Sequence, residues 1–368
     1  MEKVRVGVVG CGAISGIYLQ NMTSVFSEIL QVACCADLDP ARAQGQAEEF
    51  PGVKAVSTDQ MLADPDVQIV VNLTIPNAHA DVAVAAVRAG KSVYNEKPLT
   101  ITRQQARELL AAAKAKNVLV GCAPDTFLGA GYQTCRQLID EGRIGKPLAA
   151  SACFVCRGHE RWHPSPEFYY KKGGGPMFDM GPYYLTALVS LLGPAARVAG
   201  LTAMSFPTRT ITSQPLAGKV IDVEVPTHIA GLVEFQSGAI ATVVTSFDVW
   251  NSQVPRMELH GSEGSLVMPD PNTFGGPILL RGPGAQEWQE IPLTHGYAEN
   301  SRGLGVADMA RAILTGRTVR AGGELAYHVL DLMHAFHDAA RQRKTVELES
   351  TCAQPAPLPP GLAAGAVD

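Results

Sequence analysis

Hydrophobic and polar positions divide the chain into two regimes. Over the first third, short and nearly continuous apolar runs at residues 4–9, 31–36, 67–73, 91–94 and 118–122 alternate with stretches whose apolar residues recur at helical spacing. Runs without polar alternation suit strands covered on both faces. Strands and helices taking turns predict a doubly wound parallel sheet. Helix ends are marked too. Asp39-Pro40 opens one helix as cap and first residue, Thr102-Arg103-Gln104-Gln105 reads as a capping box, and Asn117 reads as the C-cap of that second helix.

Beyond residue 124 the pattern changes. A helix over 125–140 ends at Gly142, and a strand follows over 147–156. After an irregular aromatic stretch, residues 157–175, comes an apolar helix reaching Leu192. From Arg197 the pattern is β. Long strands at 228–235 and 239–249 flank Ser237-Gly238, and shorter ones at 257–260 and 265–268 flank Gly261-Ser262-Glu263-Gly264. Residues 301–315 and 323–343 read as closing helices. The fold class is therefore α/β: an N-terminal Rossmann domain over 1–123 and an α+β domain over 124–352 with a large, mostly antiparallel open sheet. A Pro/Ala-rich tail over 353–368 is expected to be loose or to lie on a neighbour. Apolar residues on both faces of 239–249 make one face of that sheet a candidate subunit interface.

Composition narrows the function. At 368 residues the chain exceeds one ordinary core, and 46% hydrophobic with 18% charged residues fits a globular protein. A net charge of -5 without a basic block argues against nucleic acid and anionic membranes as partners. No apolar run approaches the roughly 20 residues of a membrane span. The N-terminus has no signal-peptide layout, and the eight cysteines form no disulfide framework. These features predict a cytoplasmic protein with reduced thiols. Cys153 and Cys156 fall on a predicted strand with no second pair for zinc, so they read as small buried residues. His159-Glu160-Arg161-Trp162-His163 matches a zinc-protease pattern, but Gly158 before it and Pro164 and Pro166 after it deny it a helix. No metal site is expected.

Candidate chemistry begins in the first domain. Gly10-Cys11-Gly12-Ala13-Ile14-Ser15 lies between a strand and a helix, as in a dinucleotide-binding loop, with Ser15 where Gly or Ala is usual. Asp37 ends the second strand 22 residues after Ser15, where a carboxylate accepts from both ribose hydroxyls and repels a 2′-phosphate. Leu38 offers nothing to a phosphate, so NAD is favoured over NADP. Glu96 and Lys97 sit at a strand's C-terminal end, stopped by Pro98. That edge is where ligands bind in open α/β sheets.

Together GVVGCGAISG, ADLDP, TIPNAHA and NEKPLT resemble the Gfo/Idh/MocA oxidoreductases, and the second half carries that family's other marker at Asp179-Met180-Gly181-Pro182-Tyr183. The resemblance implies an NAD-dependent dehydrogenase acting on a secondary hydroxyl or ketone of a sugar, sugar derivative or cyclitol. It implies cofactor contacts at Gly10, Gly12, Ala13, Ile14, Asp37, Leu38, Ile75, Pro76, Asn77, His79, Glu96 and Lys97. Lys97, Asp179 and Tyr183 are the expected catalytic residues. Tyr183 stands where much of the family has His, and it relays the proton if its pKa is lowered, which Lys97 nearby could do. Alternatively Tyr183 only hydrogen-bonds, and Lys97, His159 or His163 handles the proton. Substrate contacts are expected from Lys97, Asp125, His159, Trp162, His163, Asp179 and Tyr183, the loop residues offering an aromatic face and polar tips to a polyol. The resemblance further implies a cis Lys97-Pro98 bond and a homodimer or homotetramer through the C-terminal sheet. Two rivals stay open: a non-catalytic dinucleotide-dependent sugar sensor, and a redox-neutral enzyme retaining its NAD.

Overall fold

The computed structural model describes residues 3–368, so the first two residues of the expected first domain lie outside it. The first domain is a six-stranded parallel sheet in the order Lys54–Ala55, Leu30–Ala36, Val4–Val9, Ile69–Asn72, Ser92–Asn95, Val120–Cys122. Chain order reverses between Val4–Val9 and Ile69–Asn72, which opens a crevice at the carboxyl ends of the strands. The helix Arg103–Lys116 starts on Thr102, whose hydroxyl oxygen accepts from the Gln105 N–H, and ends on Asn117 at φ 52°. Only half of the expected capping box forms. The Gln105 amide oxygen takes the Thr102 hydroxyl proton instead of reaching the backbone.

The second sheet has nine strands, ordered Gln289–Glu290, Leu279–Arg281, Ser265–Met268, Met257–Gly261, Pro147–Val155, Ile240–Ser246, His228–Phe235, Ala195–Ala203, Val346–Glu347. Every pair is antiparallel except Pro147–Val155 with Ile240–Ser246. One face packs on the helices Gly181–Leu192 and Gly323–Gln342, the first buried at every residue. The opposite face leaves Leu201, Leu232 and Ile240 exposed. A separate hairpin, Thr208–Thr210 with Val220–Asp222, stands outside this sheet.

The closing helix of the second domain also seals the first. The Cys122 N–H donates to the Ala321 carbonyl at 3.0 Å. Arg103 reaches Asp331 at 2.5 Å and Asp338 at 2.7 Å on Gly323–Gln342. His334 and His337 on that helix pack on Phe178, and His328 accepts from the Ala195 N–H. Among the described residues no helix is long and apolar enough to cross a membrane.

The tail corrects an expectation. Residues 353–368 are not loose but fold back on their own chain. Gln354 donates to the Ser190 and Leu191 carbonyls, the Leu358 N–H donates to Gln133, and Tyr297 donates to the Ala366 carbonyl. Leu358 and Val367 are 3% and 1% exposed. Proline and alanine hid this because the tail docks through backbone groups and a few scattered side chains, Gln354, Leu358, Val367 and Asp368, without periodicity. Deleting residues 353–368 is expected to remove about 3 kcal/mol from the Leu358 and Val367 side chains, at the low end for burying an aliphatic residue. A thermal melt about 6 °C lower checks it.

Candidate functional site

The glycine loop is fixed by sterics. Gly10 has φ 98°, and a Cβ there would lie 2.7 Å from the Leu73 carbonyl, so only glycine fits. A Cβ on Gly12 would meet nothing within 4 Å, which leaves open space above the turn. Buried Ser15 tightens the loop by donating to the Gly12 carbonyl at 2.7 Å. Asp37 accepts from the Cys11 N–H at 2.7 Å and the Asp39 N–H at 2.9 Å, which aims its carboxylate across the mouth of the loop. Ala13, Leu38, Ile75 and Asn77 are exposed along the same strand ends, with Ile14 and Pro76 half-buried. Backbone donors at a helix start, an oriented acid and exposed apolar side chains fit a dinucleotide.

Other predicted cofactor contacts lie behind that surface. His79 is fully buried, its Nδ1 2.7 Å from the Pro98 carbonyl and its Nε2 2.9 Å from the Thr74 carbonyl. It ties the strand-end loops together. Glu96 accepts from the Tyr18 hydroxyl at 2.9 Å and the Lys97 N–H at 2.9 Å, bracing the first helix against the strand end. The Lys97-Pro98 peptide is cis.

Lys97 crosses from the first domain to the second. Its Nζ donates to the Asp179 carbonyl at 2.6 Å and to Asp179 Oδ1 at 2.9 Å. Asp179 Oδ2 lies 2.7 Å from His159 Nε2, and Trp162 Nε1 donates to His159 Nδ1 at 3.2 Å. Because Nδ1 accepts, Nε2 carries the proton and donates to Asp179. The result is a hydrogen-bonded run Lys97–Asp179–His159–Trp162 leading from the first sheet's edge to the surface.

Electrostatics hold the Lys97–Asp179 pair in its charged form. Burial works against the Lys97 ammonium, but Asp179, Tyr183 and Glu96 outweigh it and hold its pKa above the ordinary lysine range. Burial likewise pushes the Asp179 carboxyl up, yet Lys97 and His159 bring it down to about 2. Tyr183 lies under Lys97, with the ammonium 5.2 Å from its ring centre. Here the sequence expectation needs correcting. Burial raises the Tyr183 phenol above its ordinary value despite the pull of Lys97 and of Arg302.

Asp125, an expected substrate contact, is buried and does a different job. Its Oδ2 accepts from the Gly303 and Gly305 N–H groups at 3.1 and 2.9 Å, capping the helix Leu304–Thr315. Burial brings its carboxyl up to about 6 although Gly305 and Arg302 pull it down.

The H-E-x-x-H residues form one turn, with the Trp162 and His163 N–H groups donating to the His159 carbonyl. The histidines diverge: His159 meets Asp179, while His163 Nδ1 accepts from the Ser165 N–H. Glu160 points into the domain, where Tyr170 and Arg209 donate to it, the latter at 3.0 Å. Among the described residues no cluster could hold a metal ion. Sequence reasoning missed Arg209, Arg302 and Tyr169, whose ring lies 4.4 Å from His159. Only the aromatic density of the loop pointed to Tyr169, and nothing local pointed to the two arginines.

Known proteins resemble this chain in sequence and in fold. Residues 4–123 match a family described as an oxidoreductase family with an NAD-binding Rossmann fold, and residues 132–267 match the GFO/IDH/MocA C-terminal domain. A 1,5-anhydro-D-fructose reductase of Ensifer adhaerens is 33% identical over 222 residues, 59% of this chain and 61% of its own length. The scyllo-inositol 2-dehydrogenase (NAD(+)) of Bacillus subtilis (strain 168) is 28% identical over 271 residues, 73% of this chain and 74% of its own. The chain thus spans less than two thirds of the reductase's length. A levoglucosan dehydrogenase in complex with NADH and L-sorbose shares the fold with a TM-score of 0.82 at 21% identity, covering 95% of this chain and all of its own.

Proposed function

The chain belongs to the GFO/IDH/MocA oxidoreductase family with an NAD-binding Rossmann domain, and from that premise we propose an NAD-dependent dehydrogenase of sugars, sugar derivatives or cyclitols. It transfers hydride between a secondary hydroxyl, or the ketone made from it, and the cofactor. The relatives' names point to this substrate class. The observation that carries the reading is the run Lys97–Asp179–His159 set beside the open glycine loop.

When bound, the nicotinamide supplies the hydride chemistry. Gly10, Gly12, Ala13 and Ile14 hold the pyrophosphate end and Asp37 the ribose, with Leu38, Ile75, Pro76 and Asn77 along the same edge. Glu96 and His79 keep that edge in place. Lys97 donates to the reacting oxygen and stabilises its negative charge. Asp179 keeps Lys97 charged and aimed, and His159 fixes the second oxygen of Asp179. Tyr183 holds its proton at neutral pH and gives it to the alkoxide formed in ketone reduction. In oxidation the Tyr183 phenolate takes the hydroxyl proton back, and with the phenol raised that form is scarce at neutral pH.

A pH dependence follows from the direction of those shifts. Tyr183 is raised, so the phenolate that accepts the proton is scarce at pH 7 and grows with pH, while the raised Lys97 stays an ammonium. The kcat/KM for oxidation is expected to climb from pH 7 to 10, by up to about tenfold per unit, while reduction stays flat. A flat oxidation profile would sink this assignment of the proton.

The primary test mixes the protein with NAD and a panel of sugars, sugar acids and inositols and follows NADH absorbance. Turnover on one member supports the reading. No turnover with NAD bound returns the weight to a sensor or a redox-neutral cycle. In the same reading the apolar face at Leu201, Leu232 and Ile240 packs against a second copy, giving a homodimer or homotetramer. The eight free cysteines suit the cytoplasm.

A further inference from the structure

We infer that the substrate carries a second ring beyond the one oxidised, as a glycoside or disaccharide does, and that Trp162, His163 and Phe168 form the surface on which that outer ring lies. The inference rests on the dehydrogenase reading and adds its substrate class.

Five rings close a circuit around the outer end of the catalytic run. His159 and Trp162 have centres 5.2 Å apart, Trp162 and His163 5.4 Å, and His163 and Phe168 5.5 Å. Phe168 and Tyr169 are 4.0 Å apart, and Tyr169 returns to His159 at 4.4 Å. The inner end of the circuit, His159, is bonded to Asp179. The outer end is open, with Trp162 62% and Phe168 44% exposed. The only polar side-chain atom of Trp162 is turned inward to His159, so what it shows to solvent is carbon. His163 Nδ1 accepts from the Ser165 N–H, which leaves Nε2 to carry the proton as a donor.

The loop that carries these rings is pinned. Glu160 is held by Arg209 and Tyr170, and Ser213 donates to the Glu160 and His163 carbonyls. A fixed apolar face with a hydrogen-bond donor at its edge matches a sugar ring, with C–H groups on its face and hydroxyls around its rim. Through His159 and Asp179 the surface is continuous with the catalytic run and lies at its end away from Lys97. An isolated monosaccharide oxidised beside Lys97 would leave it untouched.

The test compares each monosaccharide that turns over with its methyl glycoside and with cellobiose, maltose, lactose, sucrose or trehalose, whichever contains it. A disaccharide is expected to exceed its monosaccharide by about tenfold in kcat/KM, mostly through KM, the scale of one aromatic stacking contact. Trp162→Ala should erase that ratio, and Phe168→Ala should reduce it. Trp162→Phe, which keeps a ring and loses the bond to His159, should preserve the ratio even if both rates fall. Equal kcat/KM for the two sugars in the wild type, or a preference that survives Trp162→Ala, overturns the inference and leaves the dehydrogenase reading intact. Turnover on neither, with NADH bound, overturns that reading and the inference with it.

Discussion

Lys97→Met is expected to cut kcat/KM by about a thousandfold, the scale of losing one preorganised charge from a reacting oxygen. The loss should fall on kcat. Retention of NADH, read by fluorescence titration, should change far less, because the glycine loop and Asp37 carry most of that contact. The variant also removes the cation that holds Asp179 at about 2. Burial then dominates, the carboxyl rises, and an acid limb absent from the wild type should enter the pH profile. Lys97→Arg is not expected to rescue. A guanidinium is broader than an ammonium and cannot donate at once to the Asp179 carbonyl, Oδ1 and a substrate oxygen from one atom. A Lys97→Met enzyme within tenfold of wild type would remove Lys97 from the chemistry.

The local half of the fold was legible from the sequence. Strand ends, Gly10, the Thr102 cap and Asn117 each follow from sterics or hydrogen bonding within a few residues, and the structure repeats them. Lys97 and Asp179 were legible through family resemblance, and geometry added that the two meet. The misses involve groups far apart in sequence. Asp125 was expected among the substrate contacts, yet its partners Gly303 and Gly305 lie 178 and 180 residues away. The tail looked loose because backbone docking leaves no pattern. The direction of the Tyr183 shift depended on how completely its surroundings exclude water, which no spacing reports.

Arg209 is the furthest of these from any sequence signal, and it supports the second large prediction. It lies on the hairpin outside the main sheet, its side chain 4% exposed between Glu160 at 7% and Asp248 at 9%. Thr227 and Ser205 donate to Asp248 from the other side, and Tyr170 donates to Glu160. Arg209→Gln leaves two buried carboxylates without a cation. Breaking a buried pair from one side destabilises by about 3–5 kcal/mol, a fall of about 6–10 °C in Tm. Activity should fall as well, because Glu160 is the residue next to His159 and its anchoring sets where His159 meets Asp179.

Charge and shape can be separated at this site. If the instability comes from uncompensated charge, the triple variant Arg209→Met, Glu160→Gln, Asp248→Asn should melt well above Arg209→Gln, since an ion cluster replaced as a unit by neutral groups of similar volume is often nearly neutral in stability. Its kcat should stay low if the aim of His159 depends on the directional bonds from Arg209 and Tyr170 to Glu160, which a glutamine reproduces only in part. Stability recovered without activity would make the buried cluster a positioning device for the active-site loop. Recovery of both would make it structural packing, with His159 held by Asp179 and Trp162 alone.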